Sequence, residues 1–231
     1  MAIDLNDASS LTGKGASLFN LDNLSEALNY YDKALAIQPL NVDALTGKGA
    51  IIDYFGNHTR AISYYDKALA IDSNNVLDLA NKAGALSDLG NNTEAVKYID
   101  KALAIDPKDL DALNGKSYVL RALGNYTEAI IYYDKILAID PNYVIALYGK
   151  GNVLRALGNY TEAMKYIDKA LAIDPNNTFA LNNKGVSLDG LGNKTGALNY
   201  FDKALAIQPN DFAALANKVD ISMRMVIMQK P

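Results

Sequence analysis

The stretch Asp32-Lys33-Ala34-Leu35-Ala36-Ile37 returns at Asp66, Asp100, Asp168 and Asp202, and with one replacement, Ile136, at Asp134. Each start lies 34 residues after the last. The same period carries a Gly-Asn pair at Gly56, Gly90, Gly124, Gly158 and Gly192, with Asp22-Asn23 in the first copy, and a proline at Pro39, Pro107, Pro141, Pro175 and Pro209, replaced once by Ser73. A fixed period of this length is the sequence signature of a repeat architecture, in which one supersecondary unit is stacked on the next.

Each period reads as two helices. In the fifth copy Leu147, Gly151 and Leu154 recur at i, i+4 and i+7, and Ala163, Tyr166, Ile167, Ala170 and Leu171 restore that spacing after a break, the pattern of two amphipathic helices. Gly158-Asn159 between them tolerates positive φ. Thr161 is the expected N-cap, Glu162 complements the helix dipole, and Pro175 ends the second helix. A hairpin this small cannot bury its apolar stripe alone, so neighbours must stack.

These residues resemble the tetratricopeptide repeat. The match runs through a small residue at Gly15, Gly49, Ala83, Ser117, Gly151 and Gly185. It continues in an alanine at Ala27, Ala61, Ala95, Ala129, Ala163 and Ala197, followed four residues later by Tyr31, Tyr65, Ile99, Tyr133, Ile167 and Phe201. The resemblance implies an all-α fold: an α-solenoid of stacked antiparallel helix pairs forming a right-handed superhelix. Two places depart from the family's pattern. Leucine (Leu11, Leu45, Leu79, Leu113, Leu147, Leu181) stands for its tryptophan, and lysine (Lys14, Lys48, Lys82, Lys116, Lys150, Lys184) for the leucine before the small residue. Both read as structural, the lysine stems covering apolar surface with the ammonium in water. Ile136 should widen its helix contact locally.

Residues 8–211 therefore form six tandem repeats. Residues 1–7 are in phase with Leu171 to Asn177 and read as the tail of a preceding partial repeat or an N-terminal extension, and residues 212–231 as a C-terminal capping or interaction helix.

Composition narrows the chemistry. Across 231 residues there is no cysteine and one histidine, His58, which leaves no thiolate nucleophile and no zinc site of the usual Cys/His composition. The net charge of −4 gives no general reason to bind nucleic acid or an anionic membrane. No segment has the length of a membrane span or the form of a signal peptide, and a cytoplasmic location is the expectation. No catalytic residue, cofactor or metal ion is assigned, because residues present six times in register are scaffold. The Asn-x-Thr and Asn-x-Ser triplets at Asn23, Asn57, Asn91, Asn125, Asn159 and Asn193 share one repeat position, and turn and cap chemistry accounts for them before glycosylation does.

Function is sought where the repeats differ. The resemblance implies that first helices line a concave groove, with outward places at Ser9, Thr12, Ala16 and Phe19, then Asp43, Thr46, Ala50 and Asp53, then Leu77, Ala80, Gly84 and Ser87. In the fourth to sixth copies Asn114, Tyr118, Arg121, Tyr148, Asn152, Arg155, Phe179 and Asn182 combine aromatic area, amides and two guanidinium forks. That composition suits a protein or peptide segment carrying a carboxylate. The Lys-x-x-x-Asn opening with which some relatives clamp acidic chaperone tails is missing. The leading expectation is a non-catalytic protein-interaction scaffold. The alternatives are self-association, end to end or through the apolar Ile221, Met223, Met225, Val226, Ile227 and Met228, and the repeat portion of a larger protein.

Overall fold

The computed structural model describes residues 7–228, and among them every regular element is an α-helix. Thirteen helices alternate as first and second members of successive pairs, an all-α solenoid of six repeats and a trailing helix. They divide into two compact units, Met1–Leu123 and Gly124–Pro231. Unit 1 contains α1 (Ala8–Asn20), α2 (Leu24–Ile37), α3 (Val42–Tyr54), α4 (His58–Ile71), α5 (Val76–Asp88), α6 (Asn92–Ile105) and α7 (Leu110–Ala122). Unit 2 contains α8 (Tyr126–Ile139), α9 (Val144–Ala156), α10 (Tyr160–Ile173), α11 (Thr178–Gly190), α12 (Lys194–Ile207) and α13 (Phe212–Met228). Residues 1–6, which the sequence reads as part of a preceding repeat, lie outside the described residues.

The turn inside each pair forms for the reason the Gly-Asn signal gives. Gly158 adopts φ +80° and Gly192 φ +84°, conformations that cost glycine little, and Asp22 takes the same region at φ 58° in the first copy. The following asparagine then has two roles. Its N–H closes the preceding helix, Asn159 to Leu154 O at 2.9 Å and Asn193 to Leu188 O at 2.8 Å. It is also the N-cap of the next helix, so α10 starts at Tyr160, and Thr161 lies inside the first turn instead of capping it. In two copies the asparagine side chain adds a cap bond of its own, Asn57 accepting from Arg60 N–H and Asn193 from Gly196 N–H.

The two helices of a pair touch through the small residue of the first and the aromatic or β-branched residue of the second. A Cβ on Gly185 would stand 2.5 Å from Phe201 Cε1, and one on Gly151 2.6 Å from Ile167 Cγ1. Tyr31, Tyr65, Ile99, Ile167 and Phe201 are all buried, as are the repeat alanines four residues before them. Within a unit such a pair closes over its own ring, and the next first helix covers what remains: Ala44 and Ile51 of α3 complete the cluster around Tyr31.

Five of the six repeat lysines correct the expectation of an ammonium in water, while Lys14 stays exposed. Lys82, Lys116 and Lys150 are only 6–8% exposed. Each amine donates to the aspartate of the preceding repeat: Lys82 to Asp66 at 2.5 Å, Lys116 to Asp100 at 2.6 Å, Lys150 to Asp134, and likewise Lys48 to Asp32, Lys184 to Asp168 and Lys218 to Asp202. In two rungs a tyrosine of the lysine's own repeat accepts as well, Tyr98 from Lys82 at 2.7 Å and Tyr166 from Lys150 at 2.8 Å. Burial works against the charge on Lys82 and Lys150, but the carboxylate and phenol bonds outweigh it and hold both amines above the usual lysine value. The result is a ladder of ion pairs, one per repeat junction, with three rungs inside each unit.

Candidate functional site

With the scaffold residues used in packing, the distinctive surfaces lie on the first helices. Their register differs by one residue from the expected one at several places. Thr12, Thr46 and Ala80, expected to face outward, are buried, because the next first helix packs over them; Thr46 Oγ1 donates to Asp78 Oδ1 of α5 at 2.8 Å. Gly47 and Asn81 take the open places instead.

In unit 1 this register opens a recess of about 350 Å³ between α1, α3 and α5, walled by Phe19, Tyr31, Asp43, Ala50, Leu77 and Asn81. Gly47 is its floor, and the Tyr31 ring lies against that bare backbone, with its Cε2 2.7 Å from where a Cβ would be. Behind the wall residues Thr46 and Asn75 sits Asp78, fully buried. Asp78 N–H donates to Asn75 Oδ1 at 3.0 Å, its Oδ1 accepts from Thr46, and its Oδ2 has no partner. Burial, opposed by the Thr46 bond and reinforced by Asp43 and Asp72, pushes this carboxyl up to about 6. The equivalent places are Ala44, Ala112, Ala146 and Ala180 in earlier and later repeats and Ala214 in the trailing helix, all fully buried, and the half-buried Ser10 in the first repeat.

A second unit 1 cluster joins three repeats. His58 Nδ1 lies 2.8 Å from Asp53 Oδ1 and 3.9 Å from Asp88 Oδ2. Tyr118 Oη donates to Asp88 Oδ1, and the Arg121 guanidinium stands 4.9 Å from the Tyr118 ring centroid. Burial raises the Asp53 carboxyl, with His58 opposing it, and burial together with the Asp88 bond pushes the Tyr118 phenol up to about 12. Tyr118 and Arg121 are therefore brought together as expected, with the phenol engaged by the chain's own carboxylate; Asn114 is half-buried on the same helix. Among the described residues no group of three or more histidine and carboxylate side chains is arranged to hold a metal ion.

Unit 2 holds the other expected residues. Tyr148 and Phe179 stack with centroids 5.8 Å apart and planes 15° from parallel, and Phe179 remains 67% exposed. Arg155 Nη2 donates to Asn152 Oδ1 at 2.7 Å, which fixes the guanidinium beside that pair's helix. Asn182 Oδ1 accepts from Asn217 of α13 at 3.0 Å, and Arg224 of α13 reaches Asp189 at 2.6 Å. The last helix is thus docked on α11 as a seventh first helix.

The apolar residues of α13 do not act as one surface. Ile221 is 2% exposed and packs with Ala197 and Phe201, joined by the half-buried Met225, so these two belong to the core and not to a free face. Met223, Val226 and Ile227 are 55–68% exposed and, with Ser222, line a shallow hollow of about 370 Å³. Met228 ends the helix, and its side chain lies outside the described residues. No helix among the described residues is long and apolar enough to cross a membrane.

Comparison with known proteins gives one consistent answer. Tetratricopeptide-repeat family models match residues 12–76 and 81–144, residues 144–177 and residues 178–211. No curated protein sequence matches the chain. Among solved structures, a chain of the APC/C hetero-tetramer Cut9-Hcn1 is similar at TM-score 0.83 and 20% identity, over 95% of this chain and 44% of that one, so the present chain spans less than half of its length. A tetratricopeptide repeat protein from Parabacteroides merdae is similar at TM-score 0.79 and 22% identity, over 96% and 86%. YrrB, described as having an unusual peptide-binding site, is similar at TM-score 0.52 and 25% identity, over 81% and 97%. The repeat spacing, the packed helix pairs and these matches together show that the chain belongs to the tetratricopeptide repeat family.

Proposed function

We propose that the chain is a non-catalytic interaction scaffold whose first-helix faces take extended segments of partner proteins. Tetratricopeptide-repeat proteins bind protein or peptide partners, while a fold alone does not name a ligand. The observation that carries this reading is a division of labour: the residues constant from repeat to repeat are consumed by packing, and the variable ones line the unit 1 recess and stack the exposed Phe179 on the half-buried Tyr148. Exposed aromatic area beside a fixed guanidinium is hot-spot composition. In unit 2 a segment would lie on Phe179 and Tyr148, with a carboxylate meeting Arg155 as Asn152 positions it. In unit 1 Asn114, Tyr118 and Arg121 are the corresponding contacts. Rigid helices leave most of the ordering cost to the partner.

The test is selection of displayed peptides on the intact chain, followed by alanine replacement. Tyr148→Ala and Phe179→Ala should each remove unit 2 binders, and Arg155→Ala should flatten their salt dependence. Binders that tolerate all three, or that footprint on the second helices, would sink the reading. A second reading, self-association, is favoured by the exposed Met223, Val226 and Ile227 of α13. Light scattering across a concentration series decides it: mass should rise with concentration and fall back on Val226→Lys with Ile227→Lys, and a chain that stays monomeric throughout removes the idea.

A further inference from the structure

Behind the wall of the unit 1 recess a charge breaks the repeat rule in the interior. The second, fourth, fifth and sixth repeats and the trailing helix put a fully buried alanine where the third puts Asp78, the first carrying a half-buried Ser10, and a buried carboxylate with an unpartnered oxygen is costly. Departures of this kind collect at functional sites, their cost offset elsewhere in the fold. The recess beside it has the matching character: Phe19 and Leu77 are partly exposed, Tyr31 and Ala50 extend the apolar wall, and Asp43 stands exposed on the rim. No ion pair among the described residues involves Asp43. One carboxylate at the rim and a second behind Thr46 set a negative potential across an apolar hollow whose floor is kept open by Gly47.

We infer that this recess receives a lysine or arginine side chain from an extended partner segment, its apolar stem against Phe19, Tyr31 and Leu77 and its cation at Asp43. The inference rests on the first-helix reading above and gives it a ligand chemistry. The long aliphatic stems of these two side chains suit a pocket that is apolar inside and charged at the rim. Asp78 is a positioning charge: it touches no ligand atom but strengthens the field at Asp43 from a site of low dielectric.

The intact chain, labelled with nitrogen-15, would be titrated with two capped peptides at low salt, Gly-Ser-Leu-Lys-Leu-Ser-Gly and its counterpart with Glu for Lys. The lysine peptide should move the backbone amides of Gly47, Ala50 and Asn81 and bind about tenfold or more tighter than the glutamate peptide. Asp43→Asn should weaken it about fivefold. Asp78→Ala, which restores what other repeats carry, should weaken it about threefold while raising the melting temperature, opposite movements that a purely structural aspartate would not produce. Equal or tighter binding of the glutamate peptide at these amides, or an Asp43→Asn chain that binds unchanged, overturns the assignment. Movement confined to the first helices of unit 2 overturns it too and leaves the scaffold reading standing; if neither peptide moves a first-helix amide in either unit, both fall.

Discussion

Three repeats apart, two faces of this molecule share a backbone and differ in what they offer. Thr46 and Leu77 of unit 1 occupy the same repeat places as Tyr148 and Phe179 of unit 2. In unit 1 the smaller pair leaves an open recess of about 350 Å³; in unit 2 the larger pair stacks across it at 5.8 Å. The charged places differ in the same sense, since Asp43 and Asp78 correspond to Ile145 and Ala180. Beneath both faces the ring-on-glycine contact is conserved, Tyr31 over Gly47 and Tyr133 over Gly149. These four places mark the change from an acidic hollow to an aromatic stack, with Ala50 and Asp53 also giving way to Asn152 and Arg155, on a scaffold whose ring-on-glycine packing stays the same.

The largest expected effect comes from erasing that difference. A chain carrying Asp43→Ile, Thr46→Tyr, Leu77→Phe and Asp78→Ala should fold and lose the lysine peptide at the unit 1 amides by about 30-fold or more, about 2 kcal/mol. Retained binding in that variant would show that the four residues do not define the face.

Asp78 alone sharpens the contrast through pH. Its carboxyl titrates near 6 in the fold against 3.8 for an ordinary aspartate, so the folded chain keeps the proton longer. Its contribution is at its best below about pH 4 and is lost as pH rises through about 6, a difference of roughly 3 kcal/mol for a shift of about two units. Asp78→Ala forfeits the Thr46 bond and should still gain about 1–2 kcal/mol at pH 7.5, with the gain shrinking toward zero at pH 4. Denaturant melts at the two pH values check this, and a loss of stability at pH 7.5 would count against it.

The ladder, common to both faces, should respond asymmetrically. Asp134→Ala leaves the Lys150 amine buried with one partner fewer and should cost about 1 kcal/mol, a modest figure because the carboxylate is half-exposed. Lys150→Met removes the buried charge itself and should be close to neutral. Equal losses from both would mean that the pair, and not the stranded charge, sets the energy. The smallest effect belongs to Asn182→Ala, which removes the bond from Asn217 and should loosen α13 by about 0.5–1 kcal/mol, read as faster amide exchange along that helix.

Much of this is legible in the sequence. The six in-phase copies carry the helix pairs, the glycine turns and the buried alanines, because a residue required by packing must recur wherever the packing recurs. Cap preference alone puts the start of α10 at Thr161, and misses that Asn159 closes one helix and opens the next. The lysines read as solvated because a single repeat shows only the stem; their aspartate partners belong to the preceding repeat, 16 residues back. The unit 1 recess is hidden by a one-residue error in helical register at Thr46 and Ala80. Its signal is nonetheless present, since aligning the copies puts Asp78 opposite Ala44, Ala112, Ala146 and Ala180. The apolar run of α13 cannot be divided by reading alone, because which of Ile221 and Val226 is covered depends on where Phe201 lies.

The ladder also bears on how such a chain can change its length. Every rung joins a second helix to the first helix of the following copy and none closes within a single copy. A whole period inserted or deleted therefore brings half of each new lock with it, and the cut ends find complementary halves without any new residue. An insertion of one or two residues between Asp134 and Lys150 would separate a pair and face its amine elsewhere. The stretch Arg121 to Ala129, repeated letter for letter from Arg155 to Ala163, has the form of such a copying event. Selection can then act on the face residues of the spare copy while its fastenings are already in place.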